Sequence, residues 1–110
     1  MTAPTPDIVT RYLDAADSRD SAACAACFTE TGTVVDEGKT YRGRDEIFDW
    51  REATLSRFTY TTTVAGSEAV SDSEYRVKVL VEGDFPGGIA KLTFDFTLED
   101  GQISQLSIVE

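Results

Sequence analysis

Apolar residues recur at helical spacing early in the chain and at strand spacing late in it. From 6 or 7 to about 16, Ile8, Val9, Tyr12, Leu13, Ala15 and Ala16 gather on one side at ~100° per residue. Asp7, Thr10, Arg11, Asp14 and Asp17 take the other side. The pattern predicts an amphipathic helix with Tyr12 near the centre of its buried face. Asp20 or Ser21 can cap a second, short helix through Cys27, because a side-chain oxygen there accepts from the first free amides. A strand is predicted over 33–36, a turn at Glu37-Gly38-Lys39, and a return strand over 40–42. A third helix follows from 44 to about 57. Its apolar stripe is Ile47, Phe48, Trp50 and Leu55, with Thr54 beside them and Arg51 in the middle.

The second half reads as strand throughout. Residues 58–69 are rich in Thr, Tyr and Val, and Ser71-Asp72-Ser73 turns the chain. Tyr75, Val77, Val79 and Val81 then alternate with Arg76, Lys78 and Glu82. Gly and Pro over 83–88 break any ladder and predict a loop. Ala90, Leu92, Phe94, Phe96 and Leu98 alternate with Lys91, Thr93, Asp95 and Thr97, giving a strand with one buried and one polar face. Glu99-Asp100-Gly101-Gln102 is a hairpin turn, and 103–109 closes the sheet. Helices first and a four-strand meander afterwards imply an α+β domain with helices on one sheet face. Tyr12, Val34, Val79 and Phe94 are expected inward.

Length changes the picture little. The chain's 110 residues suffice for one domain with one core, spanning 1–110. Charge narrows the partners. The net charge is −10 and the ten basic residues are scattered, so no basic stripe exists to engage phosphates. Nucleic acid and anionic membrane surfaces are therefore not expected as partners. No apolar run reaches transmembrane length. The opening Met1-Thr-Ala-Pro-Thr-Pro-Asp7 lacks a basic stretch followed by an apolar one, so it does not read as a signal peptide. Two cysteines three residues apart form no disulfide framework, which suits a reducing, cytoplasmic setting.

The absence of histidine removes Ser-His and Cys-His nucleophile pairs and the commonest transition-metal ligand. Acid–base chemistry is left to carboxylates, Tyr, Cys or Lys. No metal site or cofactor is expected. Cys24-Ala-Ala-Cys27 matches C-x-x-C, but it sits in an Ala-rich helix without further ligands, and core packing is the expected role.

Asp36 shares a strand face with Val34. A carboxylate facing an apolar pocket has a raised pKa and can act as a base near neutral pH. It can equally be a strand-end aspartate bonded to nearby backbone, Arg42 or Arg51. Tyr12 can donate to a ligand oxygen or to Asp36, or it can be a core tyrosine with a local partner. Trp50, Tyr41, Tyr60, Tyr75, Phe85 and Phe94 either line a pocket for a flat apolar ligand or fill the core. Arg51 is expected to run its stem over apolar surface with its charge in water.

The order of elements resembles the nuclear transport factor 2-like superfamily, which includes ketosteroid isomerases and SnoaL-like polyketide cyclases. The resemblance covers almost the whole chain. It rests on Arg11-Tyr12-Leu13, Asp20, Phe28-Thr-Glu-Thr-Gly-Thr-Val-Val-Asp36, Tyr41-Arg-Gly-Arg-Asp-Glu-Ile47, Gly83-Asp-Phe-Pro-Gly-Gly88 and Phe94-Asp-Phe-Thr-Leu-Glu-Asp-Gly-Gln-Ile103. It implies a cone-shaped domain, three helices packed on a curved, mostly antiparallel sheet, with a pocket between the layers. It also implies a homodimer, for which the polar outer face of Lys91, Thr93, Asp95 and Thr97 is suited. In ketosteroid isomerases a tyrosine on the first helix donates to an oxyanion and an aspartate ending the first strand shuttles a proton. Those roles fall on Tyr12 and Asp36. The isomerases' second donor, a protonated aspartate, aligns with Phe94 or Thr93, neither of which is an acid.

The expected function is binding of a small apolar, oxygen-bearing molecule in the cone. Two alternatives stay open. One is a ketosteroid-isomerase-like enzyme acting next to a carbonyl; the other is a non-catalytic dimeric interaction module.

Overall fold

The computed structural model describes residues 6–110, so Met1 to Thr5, on which much of the leader reading falls, lie outside the described residues. The elements run α1 (Asp7–Asp17), α2 (Ser21–Ala26), β1 (Phe28–Asp36), β2 (Lys39–Arg42), α3 (Gly43–Arg57), β3 (Tyr60–Ala69), β4 (Glu74–Gly83), β5 (Ile89–Glu99) and β6 (Gln102–Val109). The helices pack against a curved six-stranded sheet of order β2-β1-β6-β5-β4-β3. β1 and β6 pair in parallel and every other neighbour is antiparallel. The fold is the expected α+β one.

In α1, Ile8, Val9, Tyr12 and Ala15 are buried and form the single stripe their spacing dictates. Asp20 rather than Ser21 caps α2, accepting from the Ala23 amide at 3.0 Å. Ser21 is buried instead and donates from Oγ to Glu52 Oε2 at 2.7 Å, tying α2 to α3. The buried residues of α3 are Ile47, Trp50 and Arg51. Phe48, expected in the apolar stripe, is 37% exposed. Positions 47, 50, 51 and 54 already fill one face, and Phe48 stands ~100° away from Ile47.

β1 begins five residues earlier than its alternation suggests. Its pairing with β6 shifts between Phe28 and Thr33. Gly32 makes this approach possible, since a side chain there would lie 3.0 Å from Phe28 Cβ and 3.1 Å from the Ile103 carbonyl. Arg44 Nε donates to the Phe28 carbonyl at 3.0 Å, satisfying the backbone where the strand departs from regular pairing.

The meander follows the predicted faces. Phe94 lies between Val77 and Ile108, and Phe96 between Tyr75 and Leu106. Tyr12, Val34, Val79 and Phe94 are all buried. On the opposite face Asp95 stands across from Arg76, which donates to it at 2.7 Å and to Glu68 at 3.3 Å.

Candidate functional site

Helices α1 and α3 do not fill the concave face of the sheet. They leave a cavity of ≈ 570 Å³, within the range of small-molecule sites. Its apolar wall comes from β4, β5 and β6, through Val79, Val81, Ala90, Leu92, Phe94 and Ile108. These are alternate strand positions on the buried face, so the period that makes the core also makes the wall.

Tyr12 enters from α1. Its ring packs edge-on against Phe28 and Phe96, each at 5.8 Å between centroids. The body of the residue is therefore core, while the residue also lines the cavity. Among the described residues its hydroxyl has no hydrogen-bond partner. Burial pushes its pKa far up, so the phenol stays protonated and remains a donor.

Asp36 reaches the same cavity from the end of β1. It accepts a hydrogen bond at Oδ2 from Trp50 Nε1 at 3.1 Å. Burial raises its pKa, opposed by the Trp50 hydrogen bond. The sequence offers Asp36 nearby backbone, Arg42, Arg51 and Tyr12 as partners. Among the described residues no ion pair to Arg42 or Arg51 forms, and Trp50 takes the side-chain role. The nearby Glu37 amide also opposes the effect of burial.

Trp50, Tyr60, Phe85 and Phe94 all line the cavity. Tyr41 does not. It pairs with Val34 in the β1–β2 hairpin, and its ring sits 6.0 Å from that of Trp50 at a 34° tilt. Tyr41 thus braces the indole from outside the cavity. Tyr75 is buried core and does not line it either. Phe85 is held by its loop. Gly88 N bonds the Phe85 carbonyl at 2.9 Å, and Asp84 exchanges two bonds with Thr59, at 3.1 and 2.9 Å. Phe85 then meets Phe58 edge-on at 6.0 Å.

Arg51 departs most from expectation. It is 5% exposed, and its charge lies inside the domain rather than in water. It lines the cavity, and Nη1 donates to Tyr60 Oη at 3.0 Å. Its guanidinium is also close enough to Tyr12 and Cys24 to bias their ionisation. The signal was present in the sequence: Arg51 stands four residues after Ile47 and next to Trp50, on the face that α3 buries.

Cys24 and Cys27 are buried free thiols. Burial pushes Cys24 up to about 11 against the pull of Arg51, and it raises Cys27 as well. Cys27 Sγ donates to the Ala23 carbonyl at 3.3 Å. Among the described residues no three of His, Cys, Asp or Glu come together as a metal site would need. None of the helices described is long and apolar enough to cross a membrane.

A family model described as the SnoaL-like domain matches residues 9–106. No sequence among the curated proteins matches the chain. Among solved structures, a candidate polyketide cyclase from Sinorhizobium meliloti is 34% identical, with a TM-score of 0.90 over 96% of this chain and 95% of its own. A hypothetical protein of ketosteroid isomerase-like fold from Catenulispora acidiphila, solved with trimethylamine, is 20% identical, with a TM-score of 0.87 over 97% of this chain and 87% of its own. A computationally designed 17-OHP binder is 13% identical, with a TM-score of 0.78 over 94% of this chain and 88% of its own. The last two likenesses bear on fold alone. With the Sinorhizobium structure at 34% identity and a family match over nearly the whole sequence, the chain belongs to the SnoaL-like domain family.

Proposed function

We propose that this protein binds a small apolar, oxygen-bearing molecule in the cavity between α1, α3 and the sheet. One observation carries the reading: a ≈ 570 Å³ cavity with apolar strand walls and a few polar groups, Tyr12, Asp36, Arg51 and Tyr60. That division of labour, apolar area for affinity and sparse polar groups for orientation, is typical of small-molecule sites. The designed 17-OHP binder supports it at the level of the fold, since the same architecture there serves as a ligand site. Trp50 is the chain's single tryptophan and lines the cavity, so its fluorescence reports occupancy. Titration with a panel of cyclic ketones is expected to give saturable quenching by some members. Ala90→Phe, which fills the wall, is expected to remove it. Quenching by no member, or quenching indifferent to Ala90→Phe, overturns the reading.

A catalytic reading is favoured by one further observation, the raised pKa of a carboxylate on the cavity wall. In it Asp36 takes a proton from the carbon beside a carbonyl, leaving an enolate. The enolate oxygen accepts a hydrogen bond from the Tyr12 hydroxyl, and Asp36 returns the proton to carbon. Asp36→Asn keeps the shape and removes the base, so turnover of an enolisable ketone is expected to vanish while binding survives. Tyr12→Phe is expected to slow turnover ~10²-fold or more. Wild-type turnover by Asp36→Asn ends this reading. Phe94 and Thr93, the two positions that align with the isomerases' second acid, are not acids, which favours binding without turnover.

The cytoplasm is the setting in which the two unpaired, buried thiols stay as they are. A homodimer through the outer sheet face accompanies the proposal; its partner surface is the row Lys91, Thr93, Asp95 and Thr97.

A further inference from the structure

Arg51 carries a charge that the protein leaves unbalanced. It is 5% exposed, and Nε and Nη2 are both buried without a hydrogen-bond partner. Among the described residues no carboxylate forms an ion pair with it. Asp36, the acid on the same cavity wall, is engaged with Trp50. The groups around the guanidinium are Tyr12, Tyr60, Cys24 and the Trp50 ring, whose centroid lies 5.6 Å from Cζ; none of them is a carboxylate. Burial raises the pKa of Tyr12 and of Cys24, so they lend no negative charge. A guanidinium cannot escape by losing its proton. An isolated buried charge costs several kcal/mol, so its place in the core calls for a counter-ion.

The pattern of satisfied and unsatisfied atoms says what kind. Nη1 is spent on Tyr60 Oη. The free pair is Nε with Nη2, the side edge of the guanidinium, whose two N–H bonds run parallel. That edge matches the two oxygens of a carboxylate.

Resting on the ligand-binding reading above, we propose that the ligand is an acid, with a carboxylate that pairs with Arg51 and an apolar body that lies against the β4–β5 wall. Both nitrogens are buried, so engaging them takes a turn of the guanidinium about its terminal torsions. Tyr12 is the neutral donor beside this pair, and it can add a third hydrogen bond to the bound carboxylate.

The test compares 4-cyclohexylbutanoate with 4-cyclohexylbutanamide, which share a shape and differ in charge, by Trp50 fluorescence near pH 7. The wild-type protein is expected to hold the acid at least ~10-fold more tightly than the amide, as a charge-assisted pair implies. Arg51→Met is expected to abolish that preference, because it removes the charge and keeps the stem. Arg51→Lys, which retains a charge but loses the fork, guards against a variant that does not fold; part of the preference is expected to remain. If the amide binds and the acid binds no better, Arg51 is not an anion site, while the ligand-binding reading stands. An acid preference that survives Arg51→Met also overturns the proposal. If neither compound quenches Trp50 and the cyclic ketones fail as well, the cavity reading itself falls and this one with it.

Discussion

Trp50 Nε1 donates to Asp36 Oδ2 at 3.1 Å, linking the buried face of α3 to the end of β1. The bond opposes the effect of burial on the carboxylate, which still ends with a raised pKa. A carboxylate raised in the folded state favours folding most when protonated, below its unfolded pKa. That contribution is lost as the pH rises through the folded value. Asp36→Asn removes the ionisation and keeps an oxygen for Trp50. The variant is therefore expected to gain stability over the wild type near pH 7, with the gain shrinking as pH falls toward the ordinary carboxylate range. Urea unfolding at a series of pH values measures it. A gain that grows on acidification contradicts the sign.

The two cavity tyrosines are expected to respond differently to loss of their hydroxyls. Tyr12 Oη has no partner among the described residues, so Tyr12→Phe is expected to change stability by less than about 1 kcal/mol. Tyr60 Oη holds Nη1 of a buried guanidinium, and Tyr60→Phe removes that bond. A cost of about 1–3 kcal/mol is expected. Equal costs in denaturant titrations would mean the hydroxyls are not distinguished in this way.

Cys24 is a buried thiol with its pKa pushed up to about 11, and Cys27 is buried and raised beside it. Native labelling by a disulfide reagent at pH 7–8 is expected to be slow at both and to track unfolding in urea. Fast labelling of either in the native protein contradicts the burial described.

Gly83 sits where β4 ends against the start of β3. A Cβ there would lie 2.5 Å from the Thr59 carbonyl and 2.6 Å from Tyr60 Cβ. Gly83→Ala is expected to destabilise by about 2 kcal/mol or more, because backbone rather than a flexible side chain must move. It should also weaken ligand quenching of Trp50, since Tyr60 and Phe85 flank the displaced segment. Thermal unfolding within a degree of wild type would refute this.

For assembly, light scattering is expected to report a dimer. Arg76 pairs with Asp95 and Glu68 on the outer face, so Arg76→Glu sets three acids together there. It is expected to shift the equilibrium toward monomer. A wild-type monomer at every accessible concentration overturns the dimer proposal.

The faces of single elements were legible in the sequence. Tyr12 on α1 and Phe94 on β5 point inward because periods of 3.6 and 2 leave no other choice. What periodicity does not carry is the neighbour across a gap. Arg51 was visible in the middle of an apolar stripe, yet its burial depends on β3 bringing Tyr60 against α3. Tyr41 has the right chemistry, but its ring rests against Trp50 and it is Trp50 that lines the cavity. Phe48 was assigned to the stripe on hydrophobicity, although its angle turns it outward. The early start of β1 lay hidden because Thr29, Glu30 and Thr31 show no alternation; Phe28 pairs with Ile103 of β6, and regular pairing resumes only at Thr33. The site followed the same rule: individual candidates were readable, whereas the Asp36–Trp50 and Arg51–Tyr60 couples are tertiary facts.

The parallel pairing of β1 with β6 has a consequence for how this protein comes into being. Of the six strands β6 is made after the other five, yet it lies inside the sheet, between β1 and β5. Until it arrives, the β1–β2 hairpin and the β3–β5 meander have no shared edge. On the ribosome, the nascent chain therefore carries two unjoined half-sheets with open edges, the condition most exposed to mispairing. Joining Phe28 to Ile103 closes a loop of most of the chain, a long-range contact of the kind that slows folding. The cavity wall draws on β6 as well as β4 and β5, through Ile108 and Val109, so that wall is complete only once the two half-sheets have joined.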